Sequence, residues 1–161
     1  MNPSPRQLHF EDLNIGDKFH TASVTVTEAE IIAFAKQYDP QPFHTDPVAA
    51  TASMFGRLVA SGWHTAALSM GLLVRGEFQL AGGSIGLGIE KLEWPQPMLP
   101  GDTLTVVSEI MEKRPSRSRP DRGLVKIRST TFNQRNEPVQ RMSALQIVLC
   151  RAAETDKSRR M

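Results

Sequence analysis

The chain has 161 residues, 40% of them hydrophobic and 22% charged, with a formal net charge of +2. That is enough chain for one well-buried core, short for two domains, and unlike the composition of a disordered protein. So small a charge gives no electrostatic reason to bind nucleic acid.

The N-terminal stretch MNPSPRQLHFEDL places prolines and acids where a signal peptide needs an apolar run. Residues 1 to 17 read as an irregular entry ending in the turn IGD, and KFHTASVTVT then reads as a strand with Val24 and Val26 on one face. Thr27 with Glu30 three residues on has capping-box spacing, so a helix is expected through Ile31, Ile32, Phe34 and Ala35 towards Tyr38. Pro40 disfavours helical backbone at Asp39 and should stop it there. Residues 39 to 61 read as a long connection holding a short helix from about Pro47 to Met54, with Asp46 as its N-cap.

Gly62 opens WHTAALSMGLLVR, where Trp63, Ala66, Ala67, Met70, Leu73 and Val74 recur at helical spacing and Leu68 and Leu72 add apolar groups on the other side. A helix apolar nearly all round is expected to be buried, with Trp63, Met70 and Leu73 in the core. TAALSMGLLV, the longest near-apolar run, is too short to span a membrane, so a soluble, cytoplasmic protein is expected. From Ser84 four strands follow. In the first, Ile85, Leu87 and Ile89 alternate before Leu92 and Trp94 change parity, which suggests a bulge. TLTVVSEIMEK, GLVKIRSTTF and PVQRMSALQIVLC supply the others, with NQRNE as the last hairpin turn. Helices first and strands after give an α+β fold with an antiparallel sheet, a single domain over residues 1–151. Cys150, the lone cysteine, ends the run LQIVLC and reads as a small buried hydrophobe; it cannot form an internal disulfide. The polar tail 152–161 is expected to be disordered.

Four stretches carry a resemblance. YDPQPFHTDPVAA, LVASGWHTAALSM, LEWPQPMLPGDTL and the entry FEDLNIGDKF stand in the order found in the MaoC-like dehydratases, the family of (R)-specific enoyl-CoA hydratases. In the first, an Asp and a His five positions apart flank a proline-containing turn, as in the family's hydratase motif. One position departs: Gln41 stands where the family usually has Asn, which bears on substrate preference more than on reaction class. The resemblance implies a hot-dog fold, an antiparallel sheet wrapped round one long helix, and pairing into a homodimer or a dimer of dimers. It also implies an acyl-CoA substrate and no metal or cofactor.

Hydrating an enoyl thioester requires a base for water, a proton delivered to C2, and a stabiliser for charge on the thioester oxygen. Asp39 and His44 suit the first two tasks near neutral pH. Pro40 and Pro42 fix two φ angles between them, which would stiffen the loop that holds the pair against one water. Gly62, at the start of the expected central helix, offers an unpartnered N–H and close approach for the oxyanion. The bland reading of Asp39 and His44 is a helix end followed by an exposed turn. Tyr38, Gln41 and Trp63 are candidates for substrate contact, Tyr38 and Trp63 also reading as packing. In KRPSRSRPDR, a solvated hairpin loop is the plainer reading, and Arg117 and Arg119 are the candidates for CoA phosphates. His44, Asp46 and His64 fit no metal-binding signature; His64 reads as a core-edge histidine. A thioesterase or a non-catalytic acyl-thioester binding subunit would use the same fold.

Overall fold

The computed structural model describes residues 7–151; the tail expected to be disordered lies outside them. A short 3-10 turn, Phe10–Asp12, precedes β1 (Lys18–His20) and β2 (Val24–Thr25). The single strand expected here is broken. Both pieces pair with β4 (Thr103–Pro115), but at Thr21 the side-chain hydroxyl accepts the Val106 N–H and takes a ladder position. The helix α1 (Glu28–Tyr38) starts as its capping box dictates: Thr27 Oγ1 accepts the Glu30 N–H and the Glu30 carboxylate accepts the Thr27 N–H.

Two one-turn helices follow, α2 (Pro42–Thr45) and α3 (Pro47–Ala50). Each has proline in its first turn, where the missing N–H costs nothing. Asp46 caps α3 by accepting the Val48 and Ala49 N–H groups, as its position suggested. The helix expected to reach Met54 ends at Ala50 and gives way to turns.

The long helix α4 (Gly62–Arg75) packs on a sheet ordered β1, β4, β5 (Arg122–Phe132), β6 (Pro138–Leu149), β3 (Ile85–Glu93), antiparallel throughout. The register of β3 against β6 slips twice, between Gly86 and Gly88 and between Ile89 and Lys91, where the parity change placed a bulge. This is the α+β hot-dog architecture. One cluster of the core lies under α4, from Ile31, Leu72, Met98, Leu104, Val106 and Val139; a second lies towards the other end of the sheet, around Ile110, Val125 and Val148.

The helix is not apolar-buried all round. Trp63 is 58% and Met70 42% exposed, Leu73 is half-buried, and the groups α4 buries include the polar His64, Thr65 and Ser69. Ser69 Oγ and Thr131 Oγ1 lie 2.6 Å apart and satisfy each other across this interface. Among the described residues no helix is long and apolar enough to cross a membrane.

Candidate active site

Asp39 is the residue on which α1 ends: its N–H donates to the Ala35 carbonyl and its own backbone leaves the helical conformation. Gln41 N–H donates to the Asp39 carbonyl at 2.7 Å, closing a three-residue turn with Pro40 at its centre. Pro42 starts α2, whose one turn carries His44 back towards Asp39. The stiff loop expected from the prolines is thus a tight turn and a helical turn in succession. It sets His44 Nε2 3.4 Å from Asp39 Oδ2.

His44 is buried, and its Nδ1 lies 2.7 Å from the Val59 carbonyl. A carbonyl can only accept, so Nδ1 holds a proton, and in the neutral ring Nε2 presents its lone pair to Asp39. Burial pushes the Asp39 carboxyl up, but hydrogen bonds from Ser61 and Gln41, joined by the charge of His44 when its ring is protonated, outweigh it and hold the pKa below the ordinary value. An ionised carboxylate and a bare imidazole nitrogen at this separation are two acceptors suited to the two hydrogens of one water.

Gly62 is the first residue of α4, and its N–H has no hydrogen-bond partner among the described residues. Glycine is required here for a reason the sequence did not show. A Cβ at this position would lie 2.5 Å from Cε2 of Trp94, whose indole covers the main chain. Gln140, buried under the helix, accepts the indole N–H at 3.0 Å and holds that ring in place.

His44 and Gly62 share the wall of a mainly apolar cavity of about 360 Å³. Phe43, Phe55, Val59, Trp94, Pro97 and Met98 supply much of the lining. A larger, more polar cleft of about 470 Å³ beside Arg57 and Asp102 contains neither His44 nor Gly62, and Asp39 lines neither cavity, reaching the apolar one through His44. The apolar cavity is therefore the one suited to an acyl chain.

The other expected contacts fare differently. Gln41 does not reach into the cavity; its amide nitrogen donates to Asp39 Oδ1 at 2.7 Å, so it serves the acid directly. Tyr38 is 64% exposed and packs on Phe34, and Trp63 packs edge-on against Trp94; neither lines the cavity. Arg117 and Arg119 sit in the β4–β5 connection. The cavity lies at the end of the sheet where β5 finishes, the length of β5 away, about 30 Å. Within one chain they do not meet the site. Lys113 is spent on the Phe10 and Leu13 carbonyls, and Arg122 pairs with Asp121.

A family model described as a MaoC-like domain matches residues 11–131. The chain belongs to the MaoC-like family. The MaoC-like dehydratase from Rhodospirillum rubrum is 51% identical, with a TM-score of 0.87 over 89% of this chain and 98% of that one. An (R)-hydratase from A. caviae involved in PHA biosynthesis is 28% identical, with a TM-score of 0.69 over 86% and 98%. The protein YdeM of Bacillus subtilis is 29% identical over 82% of this chain and 92% of its own length. The family is one of hydratases and dehydratases, and its MaoC-like architecture is the one described above.

Sequence reasoning missed Ser61, Val59, Trp94 and Gln140. Only Ser61 carried a local signal, a serine one residue before a helix start. The others act through contacts between residues far apart in sequence.

Proposed function

We propose that the protein adds water to trans-2-enoyl-CoA to give (3R)-3-hydroxyacyl-CoA, or runs the reverse dehydration, in the cytoplasm as a homodimer. The observation that carries this reading is the 3.4 Å pair of Asp39 Oδ2 and His44 Nε2, with His44 and the unpartnered Gly62 N–H both on the wall of the apolar cavity. The pair accepts a proton from water as its oxygen forms the bond to C3. The C2–C3 π electrons move towards the thioester, whose oxygen gathers charge against the Gly62 N–H and the α4 N-terminus. The proton then passes from the pair to C2 on the same face, giving syn addition with no change of oxidation state overall. CoA enters as part of the substrate, and the acyl chain occupies the cavity between Phe43, Trp94 and Met98.

The test is incubation with a short trans-2-enoyl-CoA, following loss of the conjugated double bond and release of free thiol together. Loss of the double bond without thiol, abolished by Asp39→Asn, is the expected result. Thiol release would make the protein a thioesterase, and no turnover with short, long or branched substrates would leave acyl-thioester binding alone.

A further inference from the structure

We propose that Arg57 and Arg135 form the site that receives a phosphate of the CoA moiety. The proposal rests on the hydration reading for the identity of the substrate; the place of the two arginines beside the active cavity stands on geometry.

A polar cavity of about 370 Å³ adjoins the apolar one and shares Phe55, Val59, Gln96 and Pro97 with it. Arg57 and Arg135 line this second cavity, and both also line the larger cleft. The space leading from Gly62 is therefore apolar first and cationic after, the order in which a CoA thioester presents its acyl group and its phosphates. Arg57 is tied to the catalytic pair through the backbone. Two residues on, the Val59 carbonyl lies 2.7 Å from His44 Nδ1, and the Val59 N–H donates to the Phe43 carbonyl. Leu58 to Ser61 are buried, and two residues of chain span at most about 7 Å, so Arg57 stands where this segment reaches the surface beside the site.

Arg135 stands in the β5–β6 turn, where Asn133 Oδ1 accepts its N–H at 2.9 Å. Its Nε donates to Glu137 at 2.9 Å and its Nη1 lies 3.9 Å from the buried Asp102, so the guanidinium is aimed in advance. Glu28 lines the larger cleft as well. The Arg57 guanidinium has no ion pair or hydrogen bond to any described residue. In the 370 Å³ cavity two guanidiniums thus face one carboxylate, Glu137, which leaves positive charge uncompensated. Phosphate meets a guanidinium fork with two parallel hydrogen bonds, a geometry an ammonium does not offer. The arginines expected from sequence to do this, Arg117 and Arg119, lie at the other end of β5.

The experiment compares trans-2-butenoyl-CoA with the same acyl group on pantetheine, which carries no phosphate, in the wild type, Arg57→Gln, Arg57→Lys and Arg135→Gln. The readout is the ratio of kcat/KM for the two thioesters, with the affinity of each protein for CoA measured by calorimetry. In Arg57→Gln the ratio should fall roughly tenfold, as loss of a charge-assisted hydrogen bond at an exposed site implies, through KM rather than kcat. Arg135→Gln should lower it in the same sense, Arg57→Lys should keep most of it, and added salt should shrink the wild-type ratio. A ratio unmoved in Arg57→Gln would overturn the proposal while hydration stands, as would a fall seen only in Arg117→Gln or Arg119→Gln. Impairment of Arg57→Gln only with substrates bearing a carboxylate at the end of the acyl chain would overturn it too, by placing the arginines at that end. If the wild type hydrates neither thioester, the hydration reading fails; CoA binding weakened in Arg57→Gln then upholds the phosphate site, and binding that is absent or unchanged overturns it.

Discussion

Asp39 and His44 are held by different kinds of partner, and that difference governs what substitution does to each. The short hydrogen bond that fixes the His44 ring goes to backbone, the Val59 carbonyl, whereas side chains hydrogen-bond Asp39. Asp39→Asn keeps the size and loses the charge, so the fold should persist while turnover falls about 10²- to 10⁴-fold; steady-state rates with a circular dichroism control check both halves. His64 is the contrasting histidine. It stacks on Phe34 at 4.6 Å, and its buried Nδ1 has no hydrogen-bond partner among the described residues. Burial lowers its pKa against the opposing pull of Glu30. The folded state thus binds a proton less readily than the unfolded chain, whose imidazole titrates near about 6.5. The stability it contributes is complete above that pH and is lost as pH falls from there through the lower folded-state value. Denaturant midpoints at neutral and mildly acidic pH should therefore drop more in the wild type than in His64→Phe, which keeps the stack. An equal drop in both would show that His64 is not responsible.

Among the elements, those built from short-range bonds were legible in sequence. The Thr27–Glu30 box, the Asp46 cap and the X-Pro stop at Asp39 each depend on partners within a few residues. The break between β1 and β2 was not legible, because it depends on Val106 of β4, whose N–H goes to the Thr21 hydroxyl instead of a backbone carbonyl. Nor was the use of Trp94, which meets Gly62 across 32 positions of sequence. The long-range contact makes a prediction at the N-terminus of α4. Gly62→Ala must push the indole off the helix or shift the helix itself, at a cost of about 1 to 3 kcal/mol. It also displaces the N–H assigned to the oxyanion, for a loss of roughly 10²- to 10³-fold in kcat. In a Trp94→Ala background the stability cost should largely disappear. A double-mutant cycle on thermal unfolding measures that coupling, and additivity of the two changes would contradict the contact.

At the scale of the molecule, periodicity found an apolar helix but could not say what covers it. On α4 the sheet covers one side; Trp63, Met70 and Val74 repeat on a side left open in the single chain. The edge strand β3 is open as well, with Ile85, Leu87 and Ile89 exposed beside Trp94. A strand with a free ladder and apolar side chains is a pairing surface, and a second copy can meet it edge to edge about a two-fold axis. In such an antiparallel pairing the partner's β3 runs the opposite way, so the far end of one sheet comes alongside the near end of the other. The homodimer of the proposed function would bury both the helix stripe and the strand edge, and explain why residues that read as core lie exposed in one chain. Sedimentation should give twice the mass of one chain, and thermal stability should rise with protein concentration. Leu87→Asp, which puts a charge on a side chain 55% exposed in the single chain, should shift the protein to monomer while leaving the fold of each chain intact. A wild type that sediments as a monomer at all concentrations would remove the second copy as the cover for this face.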